Sequence, residues 1–153
     1  MKIAFFDSGI GGMTVLHEAI KQLPDESYIY YADSANIPYG TKSSEEIKDL
    51  VIEAVKLLNS HNLKALVLAC NTATSVVVKK LRTQYPFPII GMEPALKPAL
   101  SLNSSKKILV CATQRTLQED KLKLLIEQTY SGSRVELRSL QSLVTYAEAF
   151  QFT

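Results

Sequence analysis

Cys70 stands between the apolar run Ala65-Leu66-Val67-Leu68 and the segment Asn71-Thr72-Ala73-Thr74, so a thiol falls where a strand gives way to a helix. Open α/β sheets bind ligands beyond the carboxyl ends of their strands, and helix N-termini favour anions. Asn71 and Thr72 are the residue types that cap such a helix. A thiol in this setting is expected to have its thiolate form favoured, the form that acts as nucleophile or base. A second group comes from Asp7, which ends the apolar run at residues 3–6 and opens Asp7-Ser8-Gly9-Ile10-Gly11-Gly12. Its carboxylate is expected at the same sheet edge as Cys70.

The glycine loop is not a nucleotide cradle. A dinucleotide fingerprint needs G-x-G-x-x-G, and Thr14 occupies the third glycine position; no lysine follows to make a P-loop. The glycines allow a tight turn, and the simplest role for Asp7 and Ser8 is to cap the helix beginning near Met13. Tyr39 and Gly40 lie on a later loop at the same edge, where a backbone N–H can reach a carboxylate. His17 and His61 fall within the first helix and at the end of the second, away from that edge, which weakens a Cys–His nucleophile. Cys111 lies inside the apolar run at 108–112 and reads as a small buried hydrophobe.

These groups need a scaffold, and the chain alternates strand-like and helix-like segments from start to end. Strands are expected over 3–6, 28–31, 65–68, 87–91, 107–112 and 135–137. Helices are expected over 13–23, from the Ser43-Ser44-Glu45-Glu46 start through Leu58, and over 75–84, 95–102 and 117–128. Asn103-Ser104-Ser105 reads as a turn. The pattern argues an α/β fold with a doubly wound parallel sheet and helices on both faces. Lys107-Ile108-Leu109-Val110 repeats the plan of Lys2-Ile3-Ala4-Phe5. Residues 1–97 therefore read as one complete-looking lobe and 98–153 as part of a second, similar lobe. So short a second lobe suggests a fragment or a lost segment, and its exposed apolar surface suggests self-association into a homo-oligomer.

With 153 residues, 46% of them hydrophobic, the chain can bury one ordinary core. A net charge of +2 with no basic stripe gives no support to a nucleic-acid partner. No segment reaches membrane-spanning length, and the apolar start is too short for a secretion signal. Two scattered cysteines fit a reducing compartment and lack the companions a metal site needs. The expected location is cytoplasmic, with no metal.

Phe6-Asp7-Ser8-Gly9-Ile10-Gly11-Gly12, Pro38-Tyr39-Gly40 and Ala69-Cys70-Asn71-Thr72-Ala73 together resemble the successive motifs of bacterial glutamate racemases. Ala112-Thr113-x-x-Thr116 resembles the threonine-bearing loop that opens their second lobe, and Glu148 matches a glutamate near their active site. Residues 140–146 lack that family's Cys-Pro and Pro pattern. The resemblance implies two α/β lobes around the substrate and cofactor-independent racemisation of L- and D-glutamate for peptidoglycan synthesis. It makes Cys70 one of two cysteine bases, with Asp7 tuning it. Ser8, Tyr39, Gly40, Asn71, Thr72 and Thr116 would hold the substrate. The second cysteine of the family, in a Gly-Cys-Thr-His motif, has no counterpart in this sequence, and Cys111 does not match it. A non-catalytic binder of an acidic amino acid or partner, and a related aspartate racemase, are the competing expectations.

Overall fold

Most strands form where β-branched, aromatic and leucine residues run together, and among the described residues all pair in parallel. The structure is a computed structural model that describes residues 1–102, 105–129 and 131–151. Four strands, β1 (Lys2–Asp7), β2 (Tyr28–Ala32), β3 (Leu63–Leu68) and β4 (Ile89–Gly91), form a sheet in the order β2-β1-β3-β4. Asp7 pairs with Ala32 and Phe6 with Leu68, so β1, β2 and β3 end together at one edge.

Side chains alternate across this sheet. Ala4, Phe6, Leu66 and Leu68 pack on one face against α2 (Ser44–Asn59) and α3 (Asn71–Gln84), through Val51, Val55, Val77, Val78 and Leu81. The start of α2 is fixed by reciprocal bonds: the Glu46 N–H donates to Ser43 Oγ at 3.2 Å, and the Ser43 N–H donates to Glu46 Oε2 at 2.8 Å. On the opposite face Phe5 packs on Tyr28, whose hydroxyl donates to Leu23 O just past α1 (Met13–Gln22). That cover is thin. None of the α1 residues is buried, and Met13 and Ile90 are more than half exposed.

A second, two-stranded parallel sheet joins β5 (Ile108–Ala112) to β6 (Val135–Ser139). Val110 packs with Leu96 of α4 (Leu96–Leu102) and with Leu122 and Leu125 of α6 (Asp120–Gln128). The helix expected over 117–128 is broken. α5 (Gln114–Gln118) starts earlier, capped by Thr113, and Glu119 between α5 and α6 has extended backbone at ψ 139°. The side chain of Glu119 is drawn across to α2, accepting from Ser44 Oγ at 2.8 Å, a long-range contact that periodicity does not register. The helix expected over 75–84 begins four residues sooner, at Asn71. The strand expected over 87–91 is shorter, since Pro88 has no N–H to give a ladder. Residues 103 and 104 of the expected turn lie outside the described residues. After β6 comes α7 (Gln141–Glu148). Among the described residues no helix is long and apolar enough to cross a membrane.

Candidate active site

The shared carboxyl edge of β1 and β3 brings Asp7 and Cys70 to one open cleft of about 450 Å³, which Ser8, Asn71, Thr72, Thr116 and Glu148 also line. Cys70 is itself the cap of α3, correcting the expectation that Asn71 or Thr72 fills that role. Its backbone is extended (ψ 118°), and its Sγ accepts the Ala73 N–H at 3.4 Å. Ser8 Oγ lies 3.4 Å from the same sulfur. Asp7 folds its loop around its own carboxylate. Oδ1 accepts the Ser8 N–H at 2.9 Å, and Oδ2 accepts the Gly12 N–H. Asp7 is therefore a loop organiser rather than a side-chain cap of α1, whose N-cap is Gly12.

The electrostatics reverse one expectation. Cys70 is only 7% exposed, and its thiol is pushed up from the ordinary value, chiefly by burial and then by the negative charge of Asp7. The Ser8 and Ala73 hydrogen bonds oppose this without overcoming it. The helix start does supply an N–H to sulfur, but desolvation disfavours a buried anion more strongly. Cys70 thus rests as the thiol. Glu148, at the end of α7, behaves similarly: burial first, and then Asp7, raise its carboxyl, while the Ile10 N–H, 3.2 Å from both oxygens, lowers it.

Thr72 and Thr116 meet in a ring of three hydroxyls closed by Thr113. The distances are 3.0 Å for Thr72–Thr113, 3.1 Å for Thr72–Thr116 and 2.9 Å for Thr113–Thr116. This ring ties the start of α3 to α5 across the cleft. Tyr39 and Gly40 are not brought to the cleft; both are buried behind its wall. The Tyr39 hydroxyl is committed to Asp33, donating to Oδ2 at 2.6 Å, and burial with that bond raises its pKa. Cys111, expected to be buried, is exposed and lines the cleft. Its neighbour Val110 takes the covered face of the two-stranded sheet, so alternation turns Cys111 outward. His17 and His61 are exposed and line no part of the cleft. Among the described residues no group of His, Cys, Asp or Glu is placed to hold a metal ion.

Residues 8–149 match the Asp/Glu/Hydantoin racemase family. The chain belongs to that family. It is 51% identical over 152 residues to the glutamate racemase of Halothermothrix orenii, covering 99% of this chain and 60% of that protein. With glutamate racemase 2 of Bacillus subtilis the identity is 52% over 155 residues, covering 100% of this chain and 58% of that one. The Escherichia coli glutamate racemase, solved with L-glutamate and the activator UDP-MurNAc-ala, superposes with a TM-score of 0.89 at 34% identity, over 97% of this chain and 57% of that chain. The chain thus spans about three fifths of the length of the curated relatives it matches.

Around this cleft, sequence reasoning left three supporting residues unassigned. The Tyr30 hydroxyl donates to Gly9 O at 2.7 Å and lies 3.4 Å from Asp7 Oδ2. Asp33 holds Tyr39 and accepts from Asn36 Nδ2 at 2.8 Å. Thr113 completes the hydroxyl ring. Only Thr113 carried a local signal, standing three residues before Thr116 as a cap does; Tyr30 sits inside the strand run Tyr28-Ile29-Tyr30-Tyr31. Gly12 is the tight point beneath Asp7. A β-carbon there would lie 2.7 Å from Ala69 Cβ and 2.9 Å from Asp7 Cβ. Gly12→Ala is therefore expected to cost ~1–3 kcal/mol of stability by overpacking, measured by urea unfolding.

Proposed function

We propose that this chain carries the Cys70 half of a two-base glutamate racemase site, in which a Cys70 thiolate removes or returns the α-proton without a cofactor. The observation that carries the reading is the Cys70 sulfur at the mouth of β3, held by Ser8 and α3 beside the carboxylate loop of Asp7. The names of the relatives reported above support glutamate as the substrate. Residues 1–97 then act as the Cys70 lobe, with 98–153 contributing the opposite wall through Thr116, Thr113 and Glu148.

The chemistry follows from the environment. Burial and Asp7 make the thiolate scarce at neutral pH and, by the same interactions, a stronger base once formed. A weakly acidic α-proton calls for such a base. The hydroxyls of Ser8, Thr72 and Thr116 and the carboxamide of Asn71 line the cleft and offer donors to substrate carboxylates and to the negative charge that develops on deprotonation. Inversion further demands a proton donor on the opposite face of the α-carbon.

The test is solvent exchange. L-Glutamate incubated with the chain in D2O is expected to lose its α-proton NMR signal faster than in buffer alone, with chiral chromatography reporting any D-glutamate. Bound glutamate without exchange would favour the non-catalytic binder, and exchange of aspartate in preference to glutamate would favour the related racemase.

A further inference from the structure

Gln141, the first residue of α7, holds the only buried side-chain nitrogen and oxygen among the described residues that lack a hydrogen-bond partner. Its carboxamide packs against Gly40: a β-carbon on Gly40 would collide with Gln141 Oε1 and would come within 2.8 Å of Thr113 Cβ. Thr113 and Leu140 line the cleft, whereas Gly40 does not. Gln141 therefore stands between the cleft and the Gly40 loop.

Two physical facts bear on this position. A buried amide with neither donor nor acceptor paired has lost its water without compensation, so the arrangement is poised to yield to a better one. A glutamine side chain also has the length, planarity and heavy-atom shape of a glutamate side chain. The volume beside Gly40 is thus already filled by an isostere of the group that a glutamate ligand would bring.

We propose that Gln141 is an internal competitor for substrate and an affinity-determining residue: its carboxamide occupies the place beside Gly40 that the distal carboxylate of glutamate takes on binding. The inference rests on the reading of the cleft as a glutamate site. On ligand entry the carboxamide swings out to solvent and Gly40 becomes part of the binding wall. The apparent dissociation constant is then the intrinsic one divided by the fraction of molecules in which Gln141 is out.

Calorimetric titration of L-glutamate into the chain and two variants tests this. Gln141→Ala removes the competitor and is expected to tighten binding about tenfold, as it would if one molecule in ten is open at rest. Gln141→Met keeps the volume but has no unpaired amide to drive it out. It is expected to bind several-fold more weakly than the native chain, with an unchanged or higher melting temperature. A merely structural role would move both variants the same way. Binding by the native chain that Gln141→Ala leaves equal or weaker, or that Gln141→Met leaves equal or tighter, overturns the competitor while leaving the glutamate site standing. If Gln141→Ala does not fold, the methionine arm decides alone. Absence of L-glutamate binding in all three proteins overturns both the competitor and the site reading beneath it.

Discussion

Replacing Cys70 with alanine should reduce α-proton exchange of L-glutamate by about 10²–10⁴-fold, the range over which a positioned general base contributes. Glutamate binding should change little. The donors offered to a ligand come from Ser8, Asn71, Thr72 and Thr116, and alanine leaves their backbone in place. Cys70→Ser should lose exchange as well, since a serine hydroxyl is a far weaker acid than a thiol and supplies almost no anion near neutrality. Proton NMR in D2O measures the exchange and calorimetry the binding. Exchange that survives both substitutions would remove Cys70 from the chemistry, and with it the proposed reaction.

The second large effect is alkaline. Because the Cys70 thiol is raised by burial and by Asp7, exchange should climb with pH through and above the ordinary thiol range near ~8.5, rather than levelling off there. Stability should move the opposite way. Above about pH 8.5 the unfolded chain gives up the thiol proton while the folded chain keeps it, so the unfolded state binds fewer protons and unfolding becomes easier. The decline approaches ~1.4 kcal/mol per pH unit until the folded thiol itself ionises. Below the unfolded value this contribution is fully present. Tyr39, raised by burial and by Asp33, adds a second decline only above about pH 10. Urea unfolding from pH 7 to 10 should show the first slope in the native chain and not in Cys70→Ala. Asp7→Asn removes the carboxylate that raises Cys70 and Glu148, so iodoacetamide labelling of Cys70 should shift to lower pH. A labelling curve that Asp7→Asn leaves unmoved would uncouple the two groups.

The order and type of elements were legible from the chain alone because each is a local pattern. Apolar runs of four to six residues marked the first five strands, and the Ser43 to Glu46 capping box marked the start of α2. Of the stripe Ile47, Leu50, Val51, Ala54, Leu57 and Leu58, the residues Ile47, Val51, Ala54 and Leu58 do form the buried face of that helix, whereas Leu57 is exposed. The meeting of Asp7 and Cys70 was also legible, since parallel strands deliver their carboxyl ends to one edge of a sheet, and both residues stand at such ends. Spacing sufficed.

What the sequence left open depended on what covers each group. Cys111 and Val110 are adjacent apolar residues, and which one is buried follows from the side of the two-stranded sheet on which Leu122 and Leu125 pack. The sign of the Cys70 shift came from weighing desolvation against two hydrogen bonds, a balance fixed only by the depth of the sulfur beneath the cleft. The break at Glu119 and the retreat of Gly40 behind Gln141 are contacts between residues 75 and about 100 positions apart. Local propensity determined the elements and the edge they share; burial and long-range contact, which exist only once the chain has closed on itself, decided the charge and reach of the groups placed there.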